Sequence, residues 1–296
     1  MTNNDRLTHL HFPQLGVKGA IVELADSLDQ LPSYRHHPPL AQSHLGEAMA
    51  AAALLHANVK GRSRIRVQLQ SQSNLKLLYA ECTEQGAVRG LVQLRNDADA
   101  PALNDLGNDA VMAITLESNA DKSRSGARYQ GLVPLMGARL DTALEHYFET
   151  SEQLPSKILL AADKGRARGL LLQKLPSAEP LDWDDDGWNR TTMLMATLSP
   201  EELLNTERDQ LLHRLFHNEQ LAALEGLQLH FSCTCSRERV TTMFQSLGRD
   251  EALAAAMKDG RANVQCEFCG RNYGFDRVDL ESLFHPLVAS PSDAQQ

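Results

Sequence analysis

Apolar and polar residues alternate with period two over Arg64-Ile65-Arg66-Val67-Gln68-Leu69-Gln70, which predicts a strand with one buried and one wet face. Leu75–Cys82 and Ala87–Leu94 flank Glu84-Gln85-Gly86, the composition of a hairpin turn. Further strands are predicted at Val17–Val22, Val111–Leu116, Ala127–Leu135, Lys157–Ala161 and Gly169–Lys174. Between them, Ala41–Ala57 predicts a helix, and Thr142–Glu152 a second one with Asp141 as N-cap and an end before Pro155. Runs of strands broken by isolated helices predict an α+β class: a mixed, largely antiparallel sheet with packed helices over residues 1–177.

Beyond Pro176 and Pro180 the period changes. A helix is expected from about Asp184 to Leu198. A second opens with Ser199 as N-cap, Pro200 at the first helical position and Glu202 closing a capping box. Leu204, Leu211, Leu212 and Leu215 then share one stripe, with Glu207, Arg208 and Asp209 pointing elsewhere and His213, Arg214 and His217 in the last turn. Residues 178–226 hold eleven carboxylates against three arginines, so −8 of the chain's net charge of −9 is concentrated there. Residues 178–230 therefore read as an acidic, amphipathic helical linker. Residues 231–296 read as a small C-terminal unit, entered by a strand at Leu227–Ser232. It holds helices at Arg237–Ser246 and Glu251–Lys258, short strands at Ala262–Gln265 and Tyr273–Phe275, a helix from the cap Asp276 to Phe284, and a disordered tail at Ser290–Gln296.

With 296 residues and 42% apolar content the chain can bury a sizeable core. It has no apolar run long enough to span a membrane, and the polar start Met1–Arg6 lacks a signal peptide's apolar stretch, so the expected location is the cytoplasm. No concentrated cationic surface offers itself to nucleic acid. No phosphate-cradling glycine loop, nucleophile elbow or paired-histidine motif is present either, and no enzymatic activity is expected.

The strongest chemical signal is Cys233-x-Cys235 followed by Cys266-x-x-Cys269. In a reducing compartment, four such cysteines are expected to converge on one zinc ion per chain, with Zn–S near ~2.3 Å. Four thiolates leave no open position for Lewis-acid chemistry and give the site a net negative charge, which Arg237, Arg239 and Arg271 are placed in sequence to balance. Thiolates are also what oxidants attack, and of three possible connectivities, proximity favours Cys233–Cys235 and Cys266–Cys269. A permanent zinc staple, a zinc ribbon contacting nucleic acid through the same arginines, and a thiol oxidoreductase are the competing readings. Cys82, in an apolar strand, reads as a buried core thiol, and Met193, Leu194 and Met195 as core that can also line an adaptable surface.

Phe231-Ser232-Cys233-Thr234-Cys235-Ser236-Arg237-Glu238-Arg239-Val240, with Cys266-Glu267-Phe268-Cys269 and Tyr273-x-Phe275, resembles the zinc centre of the redox-regulated thirty-three-kilodalton heat-shock chaperones of bacteria. Tyr147-Phe148-Glu149-Thr150-Ser151-Glu152-Gln153-Leu154-Pro155 and Tyr129-Gln130-Gly131-Leu132-Val133 resemble two further hallmarks of that family. The resemblance implies an ATP-independent holdase, inactive while reduced and zinc-bound, with Cys233, Cys235, Cys266 and Cys269 as ligands. Oxidation then implies two disulfides, zinc release, loosening of a linker at about 178–230 and homodimerisation. The implied partners are unfolding, aggregation-prone proteins and, downstream, ATP-dependent foldase chaperones, with neither nucleic acid nor membrane.

Overall fold

The structure, a computed structural model, describes residues 4–32, 34–59, 63–118, 128–135, 137–176, 184–257 and 260–284. The chain divides into two compact units, Met1–Ser232 and Cys233–Gln296. The first runs β1 (Arg6–Phe12), β2 (Val17–Leu24), α1 (Asp26–Asp29), α2 (Pro39–His56), β3 (Ser63–Gln70), β4 (Leu75–Thr83), β5 (Ala87–Leu94), β6 (Val111–Ser118), β7 (Arg128–Val133), α3 (Leu140–Thr150), β8 (Ser156–Asp163), β9 (Arg166–Lys174), α4 (Gly187–Ala196), α5 (Pro200–Asn205), α6 (Arg208–Phe216), β10 (Ala222–Gln228) and β11 (His230–Phe231). Five strands form one sheet in the order β10-β1-β2-β9-β8, and six form another in the order β11-β5-β4-β3-β6-β7. Every pairing is antiparallel except β11 with β5. Among the described residues no helix is long and apolar enough to cross a membrane.

Helix α2 lies between the sheets because its sequence has no polar side to offer water. Ala41, Leu45, Ala48–Ala53, Leu54 and Leu55 are all buried, and residues of both sheets pack on them. Close approach requires small residues on the strands as well. A Cβ on Gly90 of β5 would stand 2.8 Å from Leu45 Cδ1, and one on Gly169 of β9 would stand 2.6 Å from Leu54 Cδ1.

The five-stranded sheet is apolar on both faces. Ala20, Val22, Leu160 and Leu171 face α2, whereas Leu10, Phe12, Val17, Ile21, Leu170 and Leu172 belong to a second cluster on the opposite face. That face is covered by Met195, Leu198, Leu203, Leu204, Leu211, Leu212, Leu215 and Phe216 of α4–α6 and their connections. Phe216 meets Phe12 edge to face at 5.1 Å between ring centres. Polar ties fix the register. The Arg168 guanidinium donates to the Leu203 and Thr206 carbonyls and pairs with Glu23 at 2.8 Å, while Arg190 reaches Glu219 at 2.6 Å. The segment read as a linker is thus packed within the first unit.

Several local readings change. Asp141 is not the cap of α3; it lies buried in the first turn, where its carboxylate accepts from the Thr142 and Leu160 amides and pairs with Arg139, tying the helix to β8. The helix opened by Ser199 does not run through to the last turn. Thr206 is extended (φ −90, ψ 137), and the Glu207 side chain accepts from the Gln210 amide to start α6 afresh. Arg168, held by β9, satisfies carbonyls at that break, so a tertiary donor replaces helical continuity. Ser199 does cap α5, accepting from the Glu202 amide. Helix α4 starts at Gly187 rather than Asp184. Strand β1 and the 222–226 part of β10 carry no sequence expectation, and the strand expected at Leu227–Ser232 is divided between the end of β10 and the two-residue β11. Met195 is buried and Met193 exposed. The expected tail at 290–296, and the stretch around Pro180 and Trp183, lie outside the described residues.

Truncating a buried ring removes its contacts and leaves a cavity, so Phe216→Ala should weaken the docking of α5 and α6 by about 3–5 kcal/mol. Hydrogen exchange should show lost protection over Leu203–Phe216, with protection of α2 retained.

Candidate metal centre

The second unit holds α7 (Arg237–Leu247), α8 (Arg249–Ala254), a hairpin of β12 (Arg261–Gln265) and β13 (Asn272–Asp276), and α9 (Arg277–Ser282). Each cysteine pair sits where the backbone must turn. Cys233 and Cys235 precede α7, whose cap Ser236 accepts from the Arg239 amide. Cys266 and Cys269 occupy the turn between β12 and β13. The Cys266 amide donates to the Arg271 carbonyl at 2.9 Å, the Gly270 amide to the Cys266 carbonyl at 2.7 Å, and Gly270 takes the positive φ of 69° that closes the turn.

All four sulfurs come together, every one within 4.8 Å of the others. Cys233 Sγ lies 3.6 Å from Cys266 Sγ, and Cys235 Sγ lies 3.3 Å from Cys269 Sγ. A tetrahedral thiolate site with metal–sulfur bonds of ~2.3 Å has sulfur–sulfur edges of about 3.8 Å, and these two separations fall slightly short of that. The donor set is soft, complete and partly exposed, and it fits a thiophilic ion such as zinc. Among the described residues this is the single group of three or more His, Cys, Asp or Glu side chains close enough to share an ion.

The Tyr273 hydroxyl donates to Cys235 Sγ at 3.1 Å. Burial pushes the Cys235 thiol up, but this bond, with those from Cys269, Cys233 and Cys266, outweighs it and brings the thiol down to about 7. Burial pushes Cys233 and Cys269 above the usual thiol range. Of these three, Cys235 thus yields its proton readily while Cys233 and Cys269 hold theirs, as like charges crowded together require. Cys82 stands apart in β4; burial pushes its thiol up to about 12 and leaves it unreactive.

The three arginines divide differently from the sequence expectation. Arg271 faces the centre, held above its ordinary value by the Tyr273 hydroxyl and by the sulfurs of Cys235 and Cys269. Arg237 lies 4.1 Å over the Phe275 ring, donates to the Gly274 carbonyl and pairs with Asp279 at 2.9 Å; Arg239 donates to Thr234 Oγ1 at 2.6 Å. Two of the three are thus engaged within the unit.

The role of Tyr273 was not read from the sequence, although Tyr273-x-Phe275 carries a signal. Period two puts both rings on one face of β13, where they join Val240, Phe244 and Leu280 in a small core. In the first unit, the two further hallmarks also meet. Tyr147 and Tyr129 direct their hydroxyls to Glu152 at 2.6 and 3.4 Å, and a Cβ on Gly131 would lie 2.6 Å from the Tyr147 oxygen.

Comparison with known proteins agrees with this arrangement. The family model described as Hsp33 protein matches residues 5–276. The 33 kDa chaperonin of Nitrosococcus oceani is 36% identical and covers 98% of each chain. That of Hahella chejuensis is 37% identical over 95% of this chain and 97% of its own, and that of Ectopseudomonas mendocina 39% identical over 95% of each. The fold is shared with the crystal structure of the 33 kDa chaperonin from Thermotoga maritima, at a TM-score of 0.75 and 21% identity, over 94% of this chain and 97% of that one. With the match spanning nearly its full length, the chain belongs to the Hsp33 family of chaperones.

Proposed function

We propose that this chaperone is a redox-controlled, ATP-independent holdase of the cytoplasm, with no enzymatic activity, whose sensor is the four-cysteine centre and whose responsive element is the 178–230 segment. The observation that carries the reading is the convergence of Cys233, Cys235, Cys266 and Cys269 within 4.8 Å in a partly exposed setting. By role, this reading divides the chain into a core at 1–177, a linker at 178–230 that packs within the first unit, and a switch domain at 231–296.

In the reduced chain the four thiolates would hold one zinc ion. When bound, the ion keeps the thiols ionised and supplies roughly 10–16 kcal/mol toward folding a unit this small. The unit's own residues add little, because its core comprises a handful of side chains around Phe244 and Phe275. Oxidation of the thiols removes the donors, so the ion is lost and the fold with it. The nearest sulfurs, Cys233 to Cys266 and Cys235 to Cys269, belong to different pairs. Once the unit loosens those partners separate, whereas tethers of one and two residues keep sequence neighbours together. Disulfides at Cys233–Cys235 and Cys266–Cys269 follow.

Cys233 directly follows Ser232, the end of the first unit, and in this reading unfolding of the second unit loosens the segment that precedes it. Release of α4–α6 would bare Leu10, Phe12, Val17, Ile21, Leu170 and Leu172, together with the leucines that covered them. Such a surface suits unfolded, aggregation-prone clients. Family membership supports the remaining assignments: a homodimer when oxidised, and transfer of clients to ATP-dependent foldase chaperones, with neither nucleic acid nor membrane as partner.

Peroxide under mild heat should release one zinc per chain and suppress light scattering by a denatured client. Should the ion leave and both disulfides form while aggregation proceeds unchanged, the switch is refuted. A second outcome concerns protons. Cys233 and Cys269 bind theirs more tightly than an ordinary thiol does, and protons compete with the metal. Zinc affinity should therefore fall steadily as pH is lowered from about 8 to about 6, as read by chelator competition.

A further inference from the structure

We propose that Tyr273 is a positioning residue of the cysteine centre, and that its hydroxyl slows attack by the Cys235 sulfur on hydroperoxides while the metal site is intact. The inference rests on the redox reading above and concerns how that site is restrained from firing. The bond that carries it runs from Tyr273 Oη to Cys235 Sγ at 3.1 Å, and it joins the second half of the centre to the first. Tyr273 cannot readily swing away. It sits in β13 opposite Val264 of β12, its residue is 8% exposed, and its ring belongs to the small core with Phe275 and Val240. Arg271 lies beside both the hydroxyl and the sulfur, adding positive potential at the same point.

Sulfur reacts with a hydroperoxide through a lone pair. The pair forms an S–O bond as the O–O bond breaks, hydroxide leaves and takes up a proton, and the sulfur is oxidised by two electrons while the peroxide is reduced. A neighbouring thiolate then attacks the sulfenic sulfur, forming S–S and expelling hydroxide. A phenol donating to the sulfur draws electron density from that lone pair and occupies part of the space an incoming peroxide needs. The hydrogen bond must weaken as the sulfur gives up its charge in the transition state, so it raises the barrier at Cys235. Cys266 serves as the comparison, since the Tyr273 hydroxyl is directed at Cys235. Outer hydrogen bonds of this kind commonly tune ligand reactivity without touching the metal.

The test uses the full chain loaded with zinc, in three forms: wild type, Tyr273→Phe, and 3-fluorotyrosine placed at position 273 alone. The fluorinated ring keeps the shape and is a stronger donor. After timed exposure to hydrogen peroxide, differential alkylation and mass spectrometry read oxidation at Cys235 and Cys266 separately, and a colorimetric chelator reads zinc release. Loss of one hydrogen bond should accelerate oxidation of Cys235 by about threefold to tenfold in Tyr273→Phe. The fluorinated form should be slower than wild type at Cys235, with Cys266 changing less in both. Equal rates at Cys235 across the series overturn the proposal. If Tyr273→Phe fails to bind one zinc, the comparison of wild type with the fluorinated chain decides alone. Client aggregation measured with oxidised wild type reports on the redox reading independently of the result at Cys235.

Discussion

A sheet that is apolar on both faces needs two covers, and this constraint organises the first unit. One face of β1, β2, β8 and β9 is buried by α2, which also serves the six-stranded sheet. The other face would be left in water were it not for α4–α6, which bring eight buried apolar side chains to it. Each such side chain contributes on the order of 1.5–3 kcal/mol when fully buried, before the entropy of ordering the segment is subtracted. The cover is therefore held by its own buried side chains. It is not part of the sandwich: both sheets and α2 would retain their mutual contacts without it.

The second unit is governed by the opposite shortage. Its core of Val240, Phe244, Ala252, Ala256, Ala262, Tyr273, Phe275 and Leu280 is too small to offset much chain entropy, so its fold leans on whatever holds the four sulfurs together. Arg237 illustrates the economy of the arrangement. One side chain stacks on Phe275, bonds the Gly274 carbonyl and pairs with Asp279, linking the start of α7 to β13 and α9. Its worth depends on those neighbours staying in place, since an exposed ion pair alone contributes about 0–1 kcal/mol.

Much of this was legible in the residues. The alternation over 64–70 and the hairpin signal at 84–86 placed the middle of the six-stranded sheet, 41–57 was legible as a helix, and the spacing of the cysteines pointed to their convergence. What was missed was set by tertiary partners. Strand β10 has no sequence signature because it buries almost nothing; Leu224 is 53% exposed and the strand is held by its ladder to β1. The break at Thr206 depends on a guanidinium from β9. Asp141 looked like a cap because the cap position and the first turn differ by one or two residues, and only the Leu160 amide reveals its actual role. Within the centre, the four cysteines that converge could be read, but not the donor on Cys235, because contact between Tyr273 and that sulfur spans 38 residues.

The energetics along 184–232 are uneven, and the order matters. Helices α4–α6 carry the buried leucines, whereas the stretch from Ala222 to Ser232 is secured mainly by backbone bonds and by a few fixed points near Asp5. There the Leu229 amide and the Gln228 side chain both donate to the Asp5 carbonyl, at 3.0 and 2.6 Å, and Leu229 is fully buried. Asp5 itself is locked by the amides of Ala25, Asp26 and Ser27 on its carboxylate. The part of the segment adjoining Cys233 is thus the part with the least apolar area and the most exchangeable bonds, which water can replace at small net cost. Within the segment, 222–232 is the weakest stretch and the leucine-rich helices are the most firmly held. Resistance to opening accordingly concentrates in α5 and α6, at the ring pair of Phe12 and Phe216.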